Sequence, residues 1–232
     1  MLCLSPFALS LSKPVLSLVE GGERVSVNFM KSTLALWVPC FLLIIPGTAF
    51  AGHGFMSAFG NIEWLPEPGR TPDSPWYRLD AWQEEGKLLL ARDPEAKVRL
   101  CLTFSREKLA ELEAMVRAEN APAAETAADR YREYVDRAQR LVSEGTEATA
   151  KETLAEAMAN ALLEHQYILS VIYEDLPAST RAVVPRVIAT AQERYQDITK
   201  LLPPKKKGAL FFKEEEVRWS VQMATRADEV NP

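Results

Sequence analysis

The chain has few of the residues that most often build catalytic, metal-binding or disulfide-bonded sites. Its 232 residues include three cysteines and two histidines. The sequence contains no H-E-x-x-H motif, C-x-x-C pair or P-loop, and no G-x-S-x-G elbow for a serine nucleophile. A di-iron bundle needs Glu three residues before His, and Leu162 stands at that position before His165. We therefore predict no catalytic residue and no cofactor.

Long hydrophobic runs are also scarce, and the main one has the form of a secretory signal. Residues 34–45 are apolar except for the interruption at Pro39 and Cys40. A charged start, Met30-Lys31, precedes the run, and the small-residue sequence Ala49-Phe50-Ala51 follows it. We predict a signal peptide at residues 30–51, cleavage between Ala51 and Gly52, and a secreted or periplasmic product. The alternative is a retained N-terminal membrane anchor, although a spanning helix needs about 20 apolar residues.

Positive charge is scarce relative to negative charge. The chain has 27 Lys and Arg against 32 Asp and Glu, a net charge of −5. Loss of residues 1–51 removes three basic and two acidic residues, which leaves 24 against 30 and a net charge of −6. Nucleic-acid binding needs positive charge concentrated against the phosphates. Nucleic acid is therefore not a predicted partner.

Composition divides the chain before and after the predicted signal peptide into further segments. Residues 1–29 precede a complete signal, so we expect translation to begin at Met30; the alternative is an unusually long charged region before the signal. The segments predicted after the signal are an extended Pro/Gly-rich lead-in at 52–74, a helical bundle at 75–202, a Pro/Lys linker at 203–211, and a C-terminal helix and tail at 212–232.

Apolar residues recur every three or four positions in five segments, which predicts an all-α antiparallel bundle of about five to six helices. Ser74-Pro75 and Asp93-Pro94 are predicted helix starts, and Pro185 predicts a kink or a short helix followed by a new one. The predicted stripes are Leu79, Trp82, Gly86 and Leu89; Val98, Cys101, Leu102, Ser105, Leu109, Leu112 and Val116; Ala124, Ala128, Tyr131, Val135, Ala138 and Val142; Leu154, Met158, Ala161, Leu162, His165, Leu169, Ile172 and Leu176; and Val184, Ile188, Ala191, Tyr195, Ile198 and Leu202.

Two residues on these stripes are weak candidates for a metal site. Cys101 is the only cysteine after residue 51, and its place on a stripe predicts a buried small hydrophobe; the alternative is a thiol that pairs two chains. His165 on an apolar stripe predicts a half-buried ring with one hydrogen-bonded nitrogen. A metal held by His165, Cys101 and a neighbouring Glu is the alternative.

Charged residues elsewhere alternate in sign at helical spacing, as in Glu107, Lys108 and Glu111, which is typical of a solvated face. One further patch stands out, where three lysines precede two aromatic residues. Cations beside aromatics can contact an anionic membrane, and a linker kept soluble by lysine is the alternative. The patch consists of Lys205, Lys206, Lys207, Phe211 and Phe212.

Three motifs occur after residue 68, and they are P-D-S-P-x-Y-x-L-D, P-E-A-K-x-x-L-x-x-x-F and E-(R/K)-L-A-E-L. Together they resemble a known family of exported bacterial helical proteins, Domain of Unknown Function 5667. Lys108 stands where Arg is usual. The resemblance implies export and a helical fold, and it implies no activity. The matching residues are Pro72, Asp73, Ser74, Pro75, Tyr77, Leu79 and Asp80; Pro94, Glu95, Ala96, Lys97, Leu100 and Phe104; and Glu107, Leu109, Ala110, Glu111 and Leu112.

The motif residues have an architectural interpretation, in which the first motif caps and docks one helix and the second begins the next. The alternative is that Pro72–Tyr77 is a recognition surface. For the whole protein we expect a non-enzymatic scaffold, adaptor or envelope-stress component with an unidentified protein partner. A metal- or ligand-binding bundle is the second hypothesis, and a hydrolase with a carboxylate-only site is the third.

Overall fold

The computed structural model describes residues 57–60, 62, 64–145 and 147–230, with side chains as far as Arg226. These residues belong to one compact unit, Gly52–Pro232. They contain six α-helices and no strand, which confirms the predicted all-α fold. The helices are α1 (Tyr77–Leu90), α2 (Pro94–Arg117), α3 (Ala121–Glu144), α4 (Ala148–Ile172), α5 (Val184–Thr199) and α6 (Pro204–Val230). The predicted signal peptide, its cleavage site and residues 1–29 lie outside the described residues.

Side-chain caps begin α2 and α3, and the cap of α2 is the one that the sequence predicts. The Asp93 carboxylate accepts hydrogen bonds from the backbone N–H groups of Glu95 at 3.2 Å and Ala96 at 3.3 Å, and the Asn120 side chain accepts from Ala123 at 3.3 Å. Each cap satisfies a donor that has no partner inside the helix. Both helices also have a proline in their first turn, where no N–H is needed.

Helix α1 begins two residues later than the sequence predicts. The Ser74 hydroxyl accepts from the backbone N–H of Trp76 at 3.3 Å, and the Ser74 carbonyl accepts from Tyr77 at 3.1 Å. Ser74 therefore closes a turn that leads into the helix, and α1 itself begins at Tyr77. Residues 64–69 before this turn have no regular secondary structure.

Helices α2 and α3 form an antiparallel hairpin through a very short connection. The N–H of Asn120 reaches the Met115 carbonyl at 2.9 Å, and the N–H of Glu119 reaches the Val116 carbonyl at 3.0 Å. These two bonds form a Schellman motif, in which the residue after the helix adopts a left-handed conformation. Glu119 has φ 55° and occupies the position where glycine is usual.

The core lies where α3 packs on α2 and where α4 packs against α5 and α6. The six apolar residues predicted for the α3 stripe, from Ala124 to Val142, are all buried. A 3₁₀ turn at Arg181–Val183 leads into α5, which has Pro185 in its first turn. Of the two alternatives predicted at Pro185, the structure therefore favours a short helical turn followed by a new helix. Each large apolar side chain buried here contributes about 1.5–3 kcal/mol relative to exposure.

The predicted linker at residues 203–211 is wrong, because residues 204–211 belong to α6. Pro204 begins the helix, where its missing N–H costs nothing, and lysine favours helix. Leu210, Val217 and Ala224 recur every seven residues and are nearly fully buried. They pack the helix onto the bundle that was predicted to end at residue 202. No helix in the described part of the chain is both long and apolar enough to cross a bilayer.

Candidate interaction surface on helix α1

Helix α1 presents a face of mixed polarity to the bundle. Its buried residues are Tyr77, Ala81, Glu84 and Leu88. Glu84 is a carboxylate that is only 3% exposed, and burying an unpaired carboxylate is strongly unfavourable. The position of α1 therefore depends on which side chain pairs with Glu84 inside the protein.

Lys108 of α2 is the cation that pairs with Glu84. The Lys108 Nζ atom lies 2.7 Å from Glu84 Oε1 and 2.7 Å from Glu111 Oε1. The three side chains, which we call the buried charge cluster, are between 1% and 4% exposed. The predicted solvated face at Lys108 and Glu111 is therefore wrong, because α1 lies over this part of α2.

Two tyrosines complete the surroundings of the buried charge cluster. The Tyr134 hydroxyl donates to Glu84 Oε2 at 2.6 Å, and Lys108 Nζ lies 5.2 Å from the centre of the Tyr77 ring. Burial raises the pKa of Glu111 although Lys108 acts in the opposite direction. Burial and the neighbouring charge of Glu111 both raise the pKa of Tyr77 far above its ordinary value. The cluster holds two carboxylates and one ammonium, so it has a surplus of one negative charge when all three are ionised.

Further polar contacts hold the C-terminal half of α1. Arg137 Nη1 of α3 lies 2.8 Å and 2.9 Å from the two carboxylate oxygens of Glu85. Lys87 Nζ lies 5.5 Å from the centre of the Phe104 ring, which is buried on α2. Charge pairs and cation–π contacts therefore add to the attachment that the buried side chains of Tyr77 and Leu88 provide.

The outer face of α1 is apolar and lies in water. We call it the α1 surface, and its exposed fractions are 64% for Trp76, 43% for Leu79, 77% for Trp82, 77% for Leu89 and 82% for Leu90. The stripe predicted through Leu79, Trp82 and Leu89 therefore faces outward. The two tryptophans alone leave about 300 Å² exposed, and the whole patch is on the order of 700 Å², above the 300–600 Å² typical of the largest patch on a monomer.

The residues of the first two motifs are distributed around α1. Tyr77 is buried on the inner face of α1 and Phe104 is buried on α2. Leu79 belongs to the α1 surface, and Pro94 begins α2. The third motif contains Lys108 and Glu111 of the buried charge cluster. Glu84 and Tyr134 were missed by sequence reasoning, since neither belongs to a recognisable pattern. One signal in the sequence could have pointed to this site. Tyr77 and Glu111, which both lie at the buried charge cluster, belong to two different family motifs.

The two weak metal candidates are both buried, so the half-buried ring predicted for His165 is wrong. His165 Nδ1 lies 3.2 Å from the Tyr131 hydroxyl, and burial lowers the pKa of His165 to about 3, with a smaller contribution from Arg106. Cys101 is buried as predicted, and burial raises the pKa of its thiol to about 11. Within the described ranges, no group of three or more His, Cys, Asp or Glu residues is arranged to hold a metal ion.

The lysine and phenylalanine patch lies on α6 and not on a linker. Lys206 pairs with Glu156 of α4 at 2.9 Å, whereas Lys205, Lys207, Phe211 and Phe212 are exposed. Phe212 also lines a groove of about 900 Å³ between α6, α4 and residues 57–58. Tyr167 and Trp219 provide further aromatic walls of this groove, and Lys213 and Glu216 provide charged ones.

Comparison with known proteins gives one match. The model of a family described as Domain of unknown function (DUF5667) matches residues 69–179. This match confirms the family resemblance. The DUF5667 region contains the whole of α1 to α4, and therefore both the buried charge cluster and the α1 surface. Helices α5 and α6 lie after it. No curated protein matches the chain, and no solved structure matches it.

Proposed function

We propose that this protein is an exported, non-enzymatic scaffold or adaptor that acts through protein contacts made by the α1 surface. The observation that supports the proposal is the orientation of α1, which directs Glu84 into the bundle and Trp76, Trp82 and Leu89 into water. A helix that served only to cover a core would bury its leucines and tryptophans. The signal predicted at residues 30–51 supports export.

The residue types on the α1 surface suit a protein partner. Tryptophan is enriched among the residues that contribute most to binding free energy, because its large side chain loses little conformational entropy on burial. The polar contacts beneath α1 hold the backbone of the surface in place. A surface that is already ordered before binding loses less entropy when the partner arrives.

Site-specific photo-crosslinking in intact cells tests this proposal. A benzophenone side chain is placed at Trp82, and the matched control places it at Thr103, an exposed position on α2. We expect covalent adducts with protein from Trp82 and few from Thr103. Equal yields from the two positions, or adducts from Trp82 with lipid alone, would refute a protein-contact function for the α1 surface.

The groove beside α6 supports a second candidate, which is the binding of a small apolar ligand. Its volume of about 900 Å³ and its aromatic walls, Tyr167, Phe212 and Trp219, are the supporting observation. Titration with an anilinonaphthalene dye tests it, because a filled groove gives saturable fluorescence that Trp219→Ser weakens. Unsaturable dye binding, or binding unchanged by Trp219→Ser, would refute this candidate. A calorimetric titration with Zn(II) tests the related metal hypothesis.

A further inference from the structure

We infer that the partner of the α1 surface is a second copy of the same helix, packed antiparallel to the first. This inference rests on the proposed function of the surface and names its partner. Three independent features carry it: the order of residues along the exposed face, an open position at Gly86, and the area of the patch.

The order of residues on the outer face is self-complementary. Leu79 and Leu89 each lie five residues from Glu84, and Trp82 and Gly86 each lie two residues from it. At 3.6 residues per turn, the midpoint of both pairs falls on the side of the helix opposite Glu84. Glu84 points into the protein, so this midpoint faces outward. A two-fold axis at the midpoint places Leu79 against the partner's Leu89, and Trp82 against the partner's Gly86.

Gly86 has no explanation within its own chain. It lies in the interior of α1, where glycine costs about 0.5–1 kcal/mol relative to alanine. A Cβ atom added there would meet no atom within 4 Å, so packing inside the monomer does not require the missing side chain. The proposed dimer does require it, because the indole of Trp82 from the other copy would occupy the open space.

The area of the patch is sufficient for a specific dimer. Each copy contributes on the order of 700 Å², against about 800 Å² per partner in a standard interface. Contacts between identical patches around a two-fold axis close the assembly at two copies. A small residue at the contact also lets two helices approach to about 8 Å.

Analytical ultracentrifugation of the purified protein, in the form that cells produce from the full chain, tests the inference. We expect a dimer at low micromolar concentration. Gly86→Trp should weaken the dimer at least about tenfold by placing two indoles in one space. Trp82→Ala should also weaken it, and the double variant Trp82→Ala/Gly86→Trp should restore it by exchanging the two positions. Trp219→Ala on α6, which also removes an exposed tryptophan, should have no effect.

Circular-dichroism melting of each variant monitors folding, and the open space at Gly86 predicts that Gly86→Trp leaves the monomer folded. A dimer that is insensitive to Gly86→Trp, or a double variant that remains monomeric, would overturn the antiparallel pairing. If the wild-type protein is monomeric and a crosslinker at Trp82 captures a different protein, the partner is not a second copy, but the proposed function stands. A monomeric protein that gives no protein crosslinks from Trp82 would refute both the dimer and the proposed function.

Discussion

Replacement of Lys108 by methionine should destabilise the protein much more than replacement of either carboxylate that it contacts. Lys108 Nζ is the cation at 2.7 Å from both Glu84 and Glu111. Methionine has a similar length but no charge, so the substitution leaves two buried carboxylates without their cation. Removal of one member of a buried ion pair costs about 3–5 kcal/mol, because the remaining charge is desolvated and uncompensated.

Glu111→Gln is the matched variant, and it should have a much smaller effect. The buried charge cluster has one negative charge in excess, so neutralising Glu111 leaves a balanced pair of Lys108 and Glu84. Burial already raises the pKa of Glu111, which shows that its environment opposes the ionised form. We expect Glu111→Gln to change the free energy of unfolding by about 1 kcal/mol or less in either direction.

The pH dependence of the Lys108→Met variant gives a second readout. Burial already raises the pKa of Glu111, and without the ammonium this pKa should rise further above its unfolded value. Stability linked to a carboxyl group with a raised pKa is present at low pH and is lost as pH rises through the raised pKa. The deficit of Lys108→Met relative to wild type should therefore shrink as pH falls from 7 to 5.

Urea denaturation at pH 7 and pH 5, followed by far-ultraviolet circular dichroism, measures these free energies. Equal losses for Lys108→Met and Glu111→Gln would contradict the account of a charge surplus. A loss below about 1 kcal/mol for Lys108→Met would show that the pair is solvated, and that α1 does not cover it as the structure describes.

Three further predictions concern other parts of the bundle. The pKa of His165 is lowered to about 3, so the stability linked to it is present above pH 6.5 and is lost as pH falls. Urea titrations should show a loss of about 2 kcal/mol between pH 6.5 and 5, and His165→Gln should abolish this part of the slope. Glu119→Gly and Glu119→Ala both lose the hydrogen bond from Ser179, but only glycine relieves about 1 kcal/mol of left-handed strain, so Glu119→Gly should have a higher melting temperature than Glu119→Ala. Leu210→Ala should cost about 2–5 kcal/mol and the neighbouring exposed Phe211→Ala about 0.5 kcal/mol or less, and similar small losses for both would contradict the packing of α6 from its first turns.

In the DUF5667 region, sequence patterns predicted those features that depend on residues close together in the sequence. Asp93 was recognisable as a helix cap because a cap acts on backbone groups two or three residues away. The apolar stripe of α3 was recognisable because its spacing matches the helical period. In both cases the interacting partners are close in sequence, or the pattern repeats often enough to be read without them.

The sequence by itself therefore determined the fold class and the start of α2. Only the tertiary structure decided which face of α1 points inward, that Lys108 is buried, and that residues 204–211 continue into a packed helix. The physical reason is that burial of a charge depends on distant partners, as when Tyr134 donates to Glu84 from 50 positions away. Helical spacing shows that an apolar stripe exists, but the neighbouring elements determine whether protein or water covers it.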